Sequence, residues 1–323
     1  NDILLNITGD SVARCCSAPV DWLPARVNQH VAIIRANPNL ANSDFIKYHL
    51  LASKEEILIL SEIGGTRNAL TKAMIEDFTI NFPPLPEQQA IASVLSSLDD
   101  KIDLLHRQNK TLEAMAETLF RKWFIEDAKD EWEEGTLDDI LSIKGGTTPS
   151  TKEPKYWNGK IAWTSPRDVT SLNGIYLFDT DRKITEDGLK QISSGLLPAG
   201  TLLMSSRAPV GALAYAEIPL AINQGYIAII DNKGYSKEFI YLWLKLNMDL
   251  VRSYSNGSTF MEISKSAFKA LNIQIPPQKN VEDFSKIIKP LFNKIKLNEQ
   301  QIINLGRIKN KILPKLMSNE FKI

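Results

Sequence analysis

One pattern of apolar residues dominates this chain. From Ile91 a seam runs through Leu95, Leu98, Ile102, Leu105, Asn109, Leu112, Ala116, Leu119 and Trp123, in strictly alternating steps of four and three. That spacing is the heptad seam of a long amphipathic helix. It returns at Phe284, Ile288, Leu291, Ile295, Asn298, Ile302, Leu305, Lys309, Ile312 and Leu316, each 193 positions after its counterpart. At 1.5 Å of rise per residue, each helix is predicted to be roughly 50 to 60 Å long. Two sequential copies in one chain close most simply if these helices pack antiparallel. Facing positions then add to the constant 407, which sets Asn109 opposite Asn298. A buried amide pair of this kind fixes register at some cost in stability. Two unrelated amphipathic helices, each tolerating an Asn, are the alternative.

The repeat reaches beyond the helices. Phe82-Pro83-Pro84 precedes the first helix as Ile275-Pro276-Pro277 precedes the second. Val27-Asn28-Gln29-His30 aligns with Ile222-Asn223-Gln224-Gly225, Phe45-Ile46-Lys47-Tyr48 with Phe239-Ile240-Tyr241-Leu242, and residues 2–6 with 201–205. The second copy continues upstream to about Thr136 whereas the first runs out, so the first lobe is expected to lack its opening. Short β-rich runs at 159–163, 201–205, 212–216 and 225–230, with one helical stretch at 237–254, predict mixed α/β lobes. The acidic segment 126–134 reads as a linker. The predicted fold class is α/β, with two mixed α/β domains connected by two long antiparallel coiled-coil helices in a pseudo-two-fold internal repeat. The expected divisions are a first, N-terminally incomplete domain at 1–86, a central long helix at 87–125, a linker at 126–135, a second domain at 136–280, and a distal long helix with its tail at 281–323.

Composition narrows the class. With 323 residues, 43% hydrophobic and 24% charged, the chain suits two globular lobes, and no apolar run approaches the roughly 18 residues needed to span a bilayer. The cytoplasm is therefore the expected location, with no membrane partner. The two cysteines, Cys15 and Cys16, are adjacent, which suits neither a disulfide framework nor a zinc site. A formal net charge of zero neither favours nor excludes nucleic acid, since a reader needs its cations gathered on one face.

Specific motifs then add a resemblance. Gly145-Gly146-Thr147-Thr148-Pro149-Ser150, Tyr156-Trp157, Ile161-Ala162-Trp163 and Arg167-Asp168-Val169 occur in that order. Pro83-Pro84-Leu85-Pro86-Glu87-Gln88-Gln89 leads into the first helix, and Leu119-Phe120-Arg121-Lys122-Trp123-Phe124 leads out of it. Across essentially the whole chain this resembles the specificity (S) subunits of Type I restriction-modification enzymes. One departure is Gln278-Lys279-Asn280 where the second copy would repeat Pro-Glu-Gln-Gln. The resemblance implies two target-recognition domains, each reading half of a split site on double-stranded DNA. It also implies methyltransferase (modification) subunits docked on the long helices and restriction subunits joined through the complex. S-adenosylmethionine and ATP would be bound by those partners, and no cofactor by this chain. The alternatives are a coiled-coil assembly protein and a recognition module severed from a single-chain restriction-modification enzyme.

Candidate DNA contacts follow from residue chemistry. The loop 145–152 offers Thr147, Thr148, Ser150 and Lys152 as donors on a glycine-rich backbone that phosphates can approach. Arg207, between two strands, could reach a guanine edge or a phosphate. Asn223 and Gln224, repeated as Asn28 and Gln29, carry amides able to pair with adenine, although recurrence in both lobes suits a structural role better. Arg167 with Ser165, Thr259 with Ser258, and Arg67 with Asn68 are further loop candidates. The plain alternatives are an ordinary glycine-rich turn for the loop, a surface ion pair for Arg207 and solvated loop surface for the last three pairs.

No catalytic centre is expected. Asn81-Phe82-Pro83-Pro84 superficially resembles the target-amine loop of amino-methyltransferases, but Phe82 spoils its spacing and no glycine-rich turn for a methyl donor accompanies it. There is no GxxxxGK[ST] loop, and Glu153-Pro154-Lys155 lacks an upstream Asp for a nuclease centre. His30, His49 and His106 are scattered without ligand spacing.

Overall fold

The two heptad seams fold as helices Leu85–Arg121 and Gln278–Met317 in a computed structural model that describes residues 2–62, 68–129, 132–207, 209–257, 261–318 and 320. The chain divides into two compact units. Asn1–Leu105 with Gln301–Ile323 forms the first, and His106–Gln300 the second. Each unit therefore contains part of both helices, and in each the two run antiparallel. No helix among the described residues is long and apolar enough to cross a membrane.

In the first unit, Ile91, Ala92 and Leu95 of the central helix cluster with Leu313 and Leu316 of the distal helix, and Phe45 and Tyr48 pack on them. One layer there is ionic. Lys309 Nζ lies 2.5 Å from Asp99 Oδ1, and the Tyr48 hydroxyl donates to Asp99 Oδ2 at 2.8 Å. Lys309 holds a seam position, so the heptad pattern admits a cation only because Asp99 and the Tyr48 ring receive it. The start of the central helix explains the Pro-Glu-Gln motif. Gln88 is buried, accepts from Asn42 N at 2.9 Å, and donates to Pro83 O at 2.9 Å and Leu40 O at 3.3 Å. One amide thus satisfies three backbone groups where the chain turns into the helix.

Among the described residues, the sheet of the first unit has three strands, β1 (Ile3–Asn6), β2 (Cys15–Ser17) and β3 (Val31–Ile34), in the order β2-β1-β3 and antiparallel throughout. Leu4 pairs with Cys16 on one side and Ile33 on the other. Helices Ser43–Ala52, Lys54–Ser61 and Lys72–Glu76 follow.

Among the described residues, ten further strands belong to the second unit: β4 (Glu133–Thr136), β5 (Ser142–Lys144), β6 (Trp157–Thr164), β7 (Tyr176–Leu177), β8 (Arg182–Ile184), β9 (Leu202–Ser205), β10 (Leu213–Ala216), β11 (Leu220–Ile222), β12 (Tyr226–Asp231) and β13 (Asn272–Ile275). They form a five-stranded sheet β5-β12-β9-β10-β7, a three-stranded sheet β11-β6-β8 and the pair β13-β4. Within the larger sheet β9 repeats β1, since Leu203 pairs with Ala214 on one side and Ala228 on the other, both antiparallel. The repeat is thus one of strand pairing as well as sequence.

The exit motif of the central helix is core. Phe120 and Phe124 are buried, and Phe124 meets Phe239 and Phe284 edge to face at 4.9 and 4.8 Å between ring centroids. Phe284 opens the second seam, so this aromatic cluster ties both helices to the helix Lys237–Leu246. Truncating such a ring costs about 3 to 5 kcal/mol.

Two expectations change. The stretch expected as one helix at 237–254 is two, Lys237–Leu246 and Met248–Ser253, because Asn247 leaves helical geometry and its Nδ2 bonds back to Trp243 O at 2.9 Å. Nor is the acidic segment 126–134 wholly a linker. The central helix ends in a π-turn at Lys122–Glu126, and Glu133 and Glu134 already belong to β4, paired with Ile275 and Gln274 of β13.

Candidate nucleic-acid interface

Sheet topology gathers several candidate residues at one end of the second unit. Strands β6 and β11 are parallel, with Thr164 opposite Ile222, so the loops that follow them leave side by side. The first carries Ser165 and Arg167, the second Asn223 and Gln224. The turn after β9 reaches the same place, because β9 runs antiparallel to β12 and Ser206 N donates to Gly225 O at 2.8 Å. That turn carries Arg207. The loop 145–152 joins them through Thr148, whose hydroxyl donates to Gln224 Oε1 at 2.7 Å. Its second glycine permits this approach, since a Cβ on Gly146 would lie 1.8 Å from Ile222 O.

The gathered residues divide by what their polar atoms already do. Thr147 is spent internally, its hydroxyl donating to Gln191 O at 2.7 Å and accepting from Ser193 N at 3.1 Å. Ser165 caps the short helix Pro166–Thr170, with Asp168 Oδ2 accepting from Ser165 N at 2.8 Å. Burial pushes the Tyr226 hydroxyl well above its ordinary range, so it stays protonated and donates to Ser165 O at 2.6 Å. The Asn223 carbonyl closes a turn by accepting from Gly225 N at 2.9 Å. Thr148, Ser150, Lys152, Arg167 and Gln224 are exposed. Arg207 is 48% exposed, with Nε donating to Glu262 Oε1 at 2.9 Å.

The first unit repeats the frame with other side chains. Ile7 N donates to His30 O at 2.9 Å, as Ser206 N does to Gly225 O. Asn28 Oδ1 accepts from His30 N at 3.0 Å, the same turn that Asn223 makes. Thr8 stands where Arg207 stands, bridged to Ala69 as Arg207 is to Glu262. Gln29 and Asn68 are exposed, and Asn68 O accepts from Gly9 N at 3.1 Å. Asn28 and Asn223 therefore recur for a backbone reason, and their neighbours Gln29 and Gln224 hold the outward positions. Arg67, Ser258 and Thr259 lie outside the described residues.

Two cations that sequence reasoning did not single out belong to the second unit's cluster. Lys265 Nζ lies 3.0 Å from the position a Cβ on Gly145 would take, and Arg182 stacks on Trp157 at 3.5 Å from the ring centroid. Neither carries a motif. Arg182 could have been sought as a cation facing the two tryptophans, but the pairing of β8 with β6 is invisible in the sequence. Among the described residues no group of three or more His, Cys, Asp or Glu side chains converges as a metal site.

The specificity subunit of the type I restriction enzyme MjaIX from Methanocaldococcus jannaschii is 33% identical over 208 residues, which cover 64% of this chain and 46% of that protein. The chain thus spans less than half the length of that relative. The HindI specificity subunit of Haemophilus influenzae is 23% identical, with 91% of this chain and 81% of the relative covered. The crystal structure of a type I restriction-modification S subunit from M. genitalium shares the fold, with a TM-score of 0.60 at 20% identity over 98% of this chain and 82% of that one. Residues 2–114 and 129–307 match the type I restriction modification DNA specificity domain, and with two such segments covering most of its length, the chain belongs to that family.

Proposed function

We propose that this chain is the non-catalytic DNA-recognition subunit of a type I restriction-modification complex, with each unit reading one half of a split target on double-stranded DNA. The observation that carries the reading is the gathering of Thr148, Arg167, Arg207 and Gln224, all exposed, at one end of the second unit's sheets, over a frame held by internal hydrogen bonds. Cations at such a site position the duplex through its phosphates, and amides and guanidinium groups reach base edges. The long helices present their outer faces to methyltransferase subunits, and restriction subunits join through the complex. S-adenosylmethionine and ATP are held by those partners, in the cytoplasm.

Methylation mapping tests this in cells that express the chain with its methyltransferase partner. A bipartite motif with a fixed gap, lost when the gene is deleted, supports the reading. Methylation that persists without the gene would instead favour a coiled-coil assembly protein.

A further inference from the structure

Arg182 opens β8, and its exposed side chain is held in place. The guanidinium lies over Trp157, 3.5 Å from the ring centroid, and 5.3 Å from that of Trp163. The two indoles meet edge to face at 5.1 Å. Each spends its N–H on the loop 145–152, Trp157 donating to Ser150 O at 3.0 Å and Trp163 to Thr147 O at 3.4 Å. The pair that shapes this loop therefore also carries the guanidinium.

The backbone beneath Arg182 is fixed as well. Thr180 Oγ1 donates to Arg182 O at 2.8 Å, and Asp181 N donates to Asp168 Oδ1 at 3.0 Å. Asp168 also accepts from the backbone of Ser165, the cap of the helix bearing Arg167, so Arg182 and Arg167 share one support. Three lysines of these segments lie in ion pairs, Lys183 with Asp179, Lys190 with Asp187 and Lys155 with Glu153. Arg182 has no carboxylate partner among the described residues, and its closer ring contact, with Trp157, takes the face of the guanidinium.

Stacking fixes the plane of the group and leaves its N–H edge free. Such an edge matches O6 and N7 of guanine, the commonest specific contact in the major groove. A phosphate accepts the same fork, but losing such a contact would weaken all sequences alike, which the test below separates from a loss at one base pair. We propose that Arg182 reads a guanine in the half-site bound by the second unit, with Trp157 as its orienting platform. The inference rests on the DNA-recognition reading above and deepens it by naming a residue and its base.

The test is methylation mapping of the full chain with its partner subunits, comparing wild type, Arg182→Lys and Arg182→Ala. Lysine keeps the charge and loses the fork. The expected result is a wild-type motif with a G·C pair that both variants discriminate roughly tenfold to a hundredfold less well, the other positions unchanged. It also includes near wild-type affinity of the Lys variant for DNA lacking the motif. An unaltered motif, relaxation at an A·T pair, or equal loss on all sequences would overturn the assignment to a guanine while leaving DNA recognition intact. Methylation independent of the wild-type chain would overturn both.

Discussion

Asn298 donates its side-chain amide to Asn109 across the two long helices, Nδ2 to Oδ1 at 2.8 Å, with both side chains buried within the second unit. The exchange is incomplete, because Asn298 Oδ1 is buried without a hydrogen-bond partner among the described residues. An unsatisfied buried carbonyl costs about 1 to 3 kcal/mol, so the pair specifies register while lowering stability.

Replacing one amide should therefore hurt more than replacing both. Asn109→Leu leaves Asn298 with only a long contact to Gln108 at 3.5 Å, and a loss of about 1 to 3 kcal/mol is expected in urea unfolding. The double variant Asn109→Leu with Asn298→Leu is expected to recover that loss or exceed wild type. A double variant no better than the worse single would show that the pair stabilises the helices as well as aligning them.

Glu299, next to Asn298, ties the distal helix to the sheet by accepting from Ile175 N at 2.9 Å and Tyr176 N at 3.0 Å. Burial, reinforced by the charges of Glu113 and Glu217, pushes its carboxyl from the ordinary 4.5 up to about 7 despite those two donors. Between these values the folded chain keeps a proton that the unfolded chain has released, so stability falls as pH rises through the window. Glu299→Gln removes this dependence. Melting the two proteins at several pH values should show the Gln variant gaining on wild type between pH 4.5 and 8, by up to about 3 kcal/mol. A flat difference would mean that the two backbone donors keep Glu299 ionised throughout.

Lys152 and Arg207 should separate two kinds of contact. Lys152 is exposed on the glycine-rich loop, and Lys152→Ala is expected to weaken binding about equally on all sequences and to lower the salt slope by about 1. Arg207 is already oriented by Glu262, which leaves the rest of its fork for a base edge. Arg207→Ala should therefore relax one base pair of the motif, and methylation mapping would register that. A uniform loss would reassign Arg207 to a phosphate.

Gly146 tests the frame itself. Its missing side chain lets the loop 145–152 lie against Ile222 O, and the obstruction facing an added Cβ is backbone that cannot rotate away. Gly146→Ala should displace the loop, lower stability by about 1 to 3 kcal/mol and weaken binding to the second half-site. Wild-type stability with wild-type binding would mean that the end of β11 yields.

Sequence alone disclosed the parts of this fold governed by periodicity. The alternation of four and three placed both long helices, and the register constant 407 set Asn109 against Asn298, because heptad spacing is a geometric constraint that each residue reports locally. The four β-rich runs fall within β6, β9, β10 and β12 apart from one-residue differences at their ends. Strands of two or three residues such as β7, β8 and β11 escaped, since their existence depends on partners far along the chain. For the same reason Arg182 was hidden while Arg207 was visible: one is positioned by a distant tryptophan, the other by the strands on either side of it. The meaning of the repeated Asn28 and Asn223 needed coordinates, which show the amide oxygen spent on a turn.

The two indole N–H groups that hold the loop 145–152 grip main-chain carbonyls and not side chains. Its shape is therefore indifferent to what stands at the exposed Lys152, whereas Thr148 also ties the loop to Gln224. Exchanging Lys152 alters the exposed surface without disturbing the hydrogen bonds that maintain the loop. On the proposed reading, the surface this loop offers to a duplex can change at Lys152 without the fold registering it, and a change at Trp157 or Trp163 would abolish that freedom.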